Sequence, residues 1–119
     1  MGTFNINVTV GNLDDPARNR RVSVMVDTGA TYTTLPREIV EDLGCRPIGL
    51  RQVVLADGRE DEWPIATVRI TVDGQEGPTF CLIGSAGGPA LLGAVTLEEF
   101  ALGVDPVAKR LVPVRSYLA

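Results

Sequence analysis

Apolar residues recur at every second position in short runs, and turn dipeptides cut the runs apart. Phe4, Ile6, Val8 and Val10 alternate with Asn5, Asn7 and Thr9, and Val68, Ile70 and Val72 alternate with Thr67, Arg69 and Thr71. A period of two sets one face of an extended chain against a core and the other in water, so both runs are read as strands. Asp57-Gly58 separates the extended runs 50–56 and 62–72, and Asp73-Gly74 leads from the latter into 79–83. Asp-Gly between such runs is a hairpin signal, because tight hairpin turns need residues that tolerate positive φ. Segments 21–26, 31–35 and 110–114 are further strand candidates. Val104-Asp105-Pro106 reads as the turn before the last of them. Two short segments favour helix. In 36–43, Pro36 suits the first turn, Glu38 complements its positive end and Gly44 supplies a stop. In 96–101, Thr96 is the expected N-cap, with Glu98 and Glu99 in the first turn. The sum is a mostly-β domain without an internal linker.

Composition narrows the chemistry. A chain of 119 residues with 45% apolar and 22% charged residues can bury its own core and is expected to be one globular domain. Its net charge is −4, and no Lys/Arg stripe offsets that, so no nucleic-acid partner is expected. Arg18, Arg20 and Arg21 stand beside Asp14 and Asp15 and read as a solvated loop. No apolar stretch approaches the roughly 20 residues that span a bilayer, and the N-terminus lacks a secretory pattern. A cytoplasmic location is the default expectation, although a domain of a longer precursor would read the same way. The chain has no histidine. That removes Ser-His-Asp and Cys-His catalysis and the commonest zinc ligand. Cys45 and Cys81 have no metal-site spacing and are expected to be buried free thiols. No metal and no cofactor are expected, and carboxylates remain the best candidates for acid/base work.

The carboxylate that stands out is Asp27. It follows the apolar run Val22, Val24, Met25, Val26 and opens the tetrapeptide Asp27-Thr28-Gly29-Ala30. By itself, Asp-Thr-Gly is compatible with a plain Asx turn after a strand. A carboxylate at a buried strand end is costly without partners or a task. Here four features follow in order: the apolar strand, Asp27-Thr28-Gly29-Ala30, a central Asp-Gly hairpin, and Leu91-Leu92-Gly93 before a helix. The later run also echoes the earlier one, an apolar segment ending in glycine and followed by a helix. This order resembles the retropepsins, the single-domain, retroviral-type aspartic proteases. The stretch Leu55-Ala56-Asp57-Gly58 and the segment from Leu91 through Ala94, Phe100, Val104-Asp105-Pro106, Leu111 and Pro113 are similar to their cellular and bacterial branch. The resemblance spans about residues 4–114.

The resemblance implies a closed acid-protease-like β barrel or sandwich over residues 1–119, with a flap hairpin at about 50–66 and one or two short helices. It implies an aspartic endopeptidase. Asp27 matches the catalytic aspartate, and Thr28 the residue whose hydroxyl ties two active-site loops together. Gly29 matches the glycine that permits close backbone approach, and Ala30 the small residue beside the substrate. Leu91, Leu92 and Gly93 match the element packed under the catalytic loop. Leu55, Ala56, Asp57 and Gly58 match the flap tip over bound peptide. The chemistry needs two carboxylates, and the chain has one Asp-Thr-Gly. A homodimer with the site on its two-fold axis is therefore expected, acting on a peptide or protein substrate. Strands around residues 4–8 and 111–114 are the expected interface.

Some features depart from viral retropepsins. The flap tip lacks multiple glycines and carries Asp57 near Glu60, Asp61 and Glu62. Read plainly, this is a solvated hairpin; read functionally, it is a selective flap that disfavours acidic substrates or prefers basic ones. Trp63 is expected in the core or at the flap base. The rival reading from another class is a catalytically silent peptide-binding or assembly domain of the same fold, distinguished by a monomer or by separated Asp27 carboxylates.

Overall fold

The computed structural model describes residues 3–118. Nine strands and two helices follow in the order β1 (Phe4–Gly11), β2 (Asn19–Val26), β3 (Thr33–Pro36), α1 (Arg37–Asp42), β4 (Gly49–Val54), β5 (Glu60–Val72), β6 (Gln75–Gly84), β7 (Leu91–Leu92), α2 (Ala94–Glu99), β8 (Leu102–Asp105) and β9 (Arg110–Pro113). Seven strands form one sheet in the order β1-β2-β7-β3-β6-β5-β4, and β1 also pairs with β5. The circuit β1-β2-β7-β3-β6-β5 therefore closes on itself, with β4 as an outer arm. The strands β8 and β9 make a separate antiparallel pair. The fold is mostly β and barrel-like, as expected.

The period-two runs are buried as the alternation requires. Val8 and Val10 of β1, Val22, Val24 and Val26 of β2, and Ala66, Val68, Ile70 and Val72 of β5 all belong to one core cluster. Leu35 of β3, Ile39 and Val40 of α1, Cys81 and Ile83 of β6, Leu92 of β7, Leu97 of α2 and Leu102 of β8 complete it, with Leu43 and Phe100 just past the helix ends. These side chains seal the barrel and bring β2, β3 and β7 together at one end.

The two Asp-Gly signals give different turns. At Asp73-Gly74, Val72 pairs with Gln75 and both turn residues have positive φ, 51° and 79°, so this is a two-residue hairpin. At Asp57-Gly58, the last pair is Val54 with Glu60, and the loop is wider. Gly58 N–H donates to Leu55 O at 2.8 Å, and Leu55 N–H to Arg59 O at 2.7 Å. Ala56 and Asp57 are thus the turn residues, and Gly58, at φ 87°, takes the left-handed position that follows.

Helix α1 lies where the sequence placed it. Gly44 N–H bonds to Glu41 O and Cys45 N–H to Val40 O, the paired closure of a Schellman end. Helix α2 does not. It begins at Ala94, two residues before the expected cap, with Gly93 in the N-cap position and no side-chain cap. Its first amides are satisfied from elsewhere in the chain: Ala94 N–H by Ala30 O at 2.8 Å and Val95 N–H by Thr31 O at 2.9 Å. Thr96 is thereby inside the helix and buried, and Glu98 and Glu99 fall in its last turn. Val104 and Asp105, expected in a turn with Pro106, instead end strand β8, and the turn begins at Pro106. Cys81 is buried as expected, whereas Cys45 is only half-buried; both are free.

Candidate active site

Strand β2 delivers Asp27. The strand runs parallel to β7, with Met25 opposite Leu91 and Val26 opposite Leu92. On its other side β7 meets β3, with Thr34 opposite Leu91. The segment Leu91–Leu92 is thus threaded between the strand that enters the Asp27 turn and the strand that leaves it. Asp27 N–H donates to Leu92 O at 3.0 Å, which carries the ladder one residue past the strand.

The turn itself is held by Asp27. Its Oδ1 accepts the N–H of Gly29 at 3.0 Å, and its carbonyl accepts the N–H of Ala30 at 3.1 Å. A side chain on Gly29 would bring a Cβ within 3.2 Å of that Oδ1. Asp27 and Ala30 are half-buried, whereas Thr28 and Gly29 are exposed. An open depression of about 600 Å³ lies over the turn, lined by Thr3, Val26, Asp27, Thr28, Gly29, Val104 and Pro106. One carboxylate oxygen is thus fixed by the backbone at the floor of an accessible groove.

Gly93 explains the third residue of the apolar-apolar-Gly element. A Cβ there would lie 2.4 Å from Tyr32 C, 2.5 Å from Tyr32 O and 2.7 Å from Thr33 N, all backbone atoms. Only glycine allows β7 and α2 to approach the chain this closely. Gly93 N–H donates to Thr33 Oγ1 at 3.1 Å. Thr33 Oγ1 lies 2.6 Å from Thr96 Oγ1, Thr96 Oγ1 lies 2.7 Å from Thr79 Oγ1, and Thr79 donates to Glu99 Oε1 at 2.8 Å. Sequence reasoning missed these four residues. Their signal was present: Thr79 shares the core-facing parity of Cys81, and a buried hydroxyl must find a partner.

The predicted flap residues lie apart from this site, on the exposed β4–β5 hairpin. Asp57 accepts from the backbone N–H and the Nε of Arg59, at 3.0 and 2.7 Å, and these bonds hold its carboxyl below the usual range. Asp61 is lowered too, first by the N–H of Glu62 and then by the indole N–H of Trp63. Trp63, in β5, is half-buried, and it lines a cavity of about 350 Å³ with Val40, Pro47, Pro64 and Ile83. Farther down the hairpin, Arg51 lies over the ring of Phe80 at 5.8 Å, and Tyr32 meets the same ring edge-on at 6.3 Å. This stack connects β4 to the segment that follows the Asp27 turn. No group of potential metal ligands occurs among the described residues, and no helix among them is long and apolar enough to cross a membrane.

A closed barrel with one strand threaded beneath an Asp-Thr-Gly turn defines a retropepsin-like fold, and solved structures agree. The chain is similar to EIAV protease complexed with the inhibitor HBY-793, with a TM-score of 0.63 at 19% identity over 82% of this chain and 86% of that one. It is similar to the simian foamy virus (mac) protease, with a TM-score of 0.58 at 18% identity over 82% and 94%. It is also similar to a retropepsin-like aspartic protease from Rickettsia conorii, with a TM-score of 0.58 at 26% identity over 87% and 84%. The first two bear on the fold alone. The family described as aspartyl protease matches residues 6–96, and the chain belongs to that family. No curated protein matches it.

Proposed function

We propose that this domain, spanning residues 1–119, is a homodimeric aspartic endopeptidase whose single active site uses Asp27 from both protomers. The observation that carries the reading is the state of Asp27: one oxygen is held by Gly29 N–H, and the residue lies at the floor of an open groove in a chain with one Asp-Thr-Gly. Two carboxylates held close cannot both ionise, and they share one proton, as in aspartic proteases generally. The ionised member takes a proton from a water, which attacks the peptide carbon. The protonated member donates to the carbonyl oxygen, giving a tetrahedral diol. Collapse of the diol, with a proton passed to the nitrogen, releases the two products and needs no covalent link to the protein.

Two unpaired strand edges support dimerisation. Among the described residues, β5 pairs only with residues 9–11 of β1, which leaves one edge of residues 4–8 open. Strand β9 pairs only with β8. Exposed edges carry unsatisfied N–H and C=O groups that a second chain can take up. Beyond β9, Val114, Tyr117 and Leu118 are exposed apolar side chains, which is consistent with a covered face. In this reading Thr28 ties the paired turns together, Ala30 lies beside the substrate, and Leu55 to Gly58 form a flap over the bound peptide.

The test is cleavage of a diverse peptide library between pH 4 and 7 at several protein concentrations, with Asp27→Asn alongside. Activity that rises with the dimer fraction and vanishes in the folded mutant is expected. A transition-state mimic should bind one per dimer. Cleavage by Asp27→Asn at the parent rate, or one mimic per protomer, would refute the shared site. A demonstrated dimer without cleavage would favour a silent peptide-binding domain.

A further inference from the structure

The buried hydroxyls beneath the Asp27 turn have one consistent direction. Thr79 donates its hydroxyl proton to the carboxylate oxygen Glu99 Oε1 at 2.8 Å. Each hydroxyl has one proton. Thr79, having spent its own, accepts from Thr96 at 2.7 Å, and Thr96 in turn accepts from Thr33 at 2.6 Å. Thr33 accepts from Gly93 N–H at 3.1 Å. That N–H belongs to the same peptide group as the Leu92 carbonyl, which accepts Asp27 N–H at 3.0 Å. The result is one unbroken chain of donors from Asp27 N–H, through a peptide plane and three buried hydroxyls, to a surface carboxylate. All three threonines are at most 2% exposed, so water does not compete for these bonds. Chains of this kind polarise along their length, and in a low-dielectric interior each bond strengthens its neighbours.

We infer that Glu99, acting through Thr79, Thr96 and Thr33, is a positioning residue for Asp27. Glu99 lies in the last turn of α2, and its carboxylate is the acceptor that sets the direction of the relay. With that acceptor in place, the Leu92–Gly93 peptide is held in one plane, its carbonyl toward Asp27 and its N–H toward Thr33. Without it, the Thr79 hydroxyl is free to turn, the order of donors along the chain is lost, and the peptide plane that anchors the Asp27 turn has a weaker hold. Glu99 touches neither the groove nor Asp27 and acts only through the relay.

This inference rests on the reading of Asp27 as the reacting acid, so its test has a readout independent of turnover. The uniformly ¹⁵N-labelled full chain is compared with Glu99→Ala by amide proton shift and hydrogen exchange. The Gly93 and Asp27 amides should shift and lose protection. The Ala94 and Val95 amides, bonded to Ala30 and Thr31 carbonyls outside the relay, should hold. In peptide cleavage, Glu99→Ala should lower kcat about 10-fold at unchanged KM, less than the roughly 100-fold that a 1 Å misplacement costs. Thr96→Val should behave like Glu99→Ala, and Thr96→Ser, which keeps the hydroxyl, should restore kcat to within about 2-fold of the parent. Should Thr96→Val fail to fold, Glu99→Ala at the surface still decides. The inference is overturned if Gly93 and Asp27 amides are unmoved in Glu99→Ala, if Ala94 and Val95 move as much as they do, or if kcat is unchanged. A parent chain that cleaves nothing would defeat the catalytic reading of Asp27, and the amide shifts would then judge the relay alone.

Discussion

Gly93→Ala isolates the close approach on which the Asp27 turn depends. Gly93 has φ −95° and ψ 172°, an extended conformation open to alanine, so backbone preference opposes nothing. The whole cost is steric. The new Cβ would meet Tyr32 C at 2.4 Å, Tyr32 O at 2.5 Å and Thr33 N at 2.7 Å. None of these atoms can rotate away, and ordinary contact demands about 1 Å more. Relief requires moving β7 and α2 away from residues 30–33. That displacement strains the bonds Asp27 N–H to Leu92 O, Ala94 N–H to Ala30 O, Val95 N–H to Thr31 O and Gly93 N–H to Thr33 Oγ1. Overpacking a tight core costs about 1–3 kcal/mol, and contact with immobile backbone puts this case at about 3 kcal/mol. For a chain of this size that is about 12 °C in Tm, at about 4 °C per kcal/mol. The control is Gly58→Ala. Nothing lies within 4 Å of its Cβ, but φ is 87°, so only conformational strain of about 1–2 kcal/mol applies. Thermal melts by circular dichroism, at one fixed protein concentration because dimerisation would shift Tm, compare the three chains. A Gly93→Ala melt within about 2 °C of the parent, or a larger loss in Gly58→Ala, would refute the steric argument.

Two further predictions concern titrating groups. The Glu38 carboxylate is held below its ordinary value of 4.5, first by its own backbone N–H and then by that of Gly87, whose N–H lies 3.0 Å from Oε1. A depressed folded value contributes stability above the unfolded value, and that contribution is lost as pH falls through the folded one. Glu38→Gln should therefore melt below the parent at pH 7, and the gap should close as pH drops from 4.5 downward; a gap that persists at pH 2 would contradict the assignment. Burial pushes the Cys81 thiol up to about 12, so it should resist alkylation at pH 8 in the native protein and react in denaturant. Mass spectrometry after iodoacetamide treatment reads this directly, and rapid native labelling of Cys81 would show that it is not held in the core.

Local rules were enough wherever the deciding contacts are near in sequence. The alternation in β1 and β5, the positive-φ pair Asp73-Gly74 and the helix stop at Gly44 are determined by residues that are neighbours along the chain. They were legible for that reason, as was the place of Asp27 at a strand end. The tertiary structure decided the rest. Helix α2 starts at Ala94 rather than at a capping threonine because the carbonyls of Ala30 and Thr31 satisfy its first amides. Asp57-Gly58 makes a wide loop because the register of β4 against β5 ends at Val54 and Glu60. The resemblance marked Gly93, but the reason that position admits only glycine appears when the backbone of Tyr32 and Thr33 is placed against it. Thr33, Thr79, Thr96 and Glu99 read separately as a strand former, a strand end, a helix cap and a first-turn acid. They form one relay only because β3, β6 and α2 pack at the same point, and a hydrogen bond depends on distance in space, which a sequence encodes only through the fold.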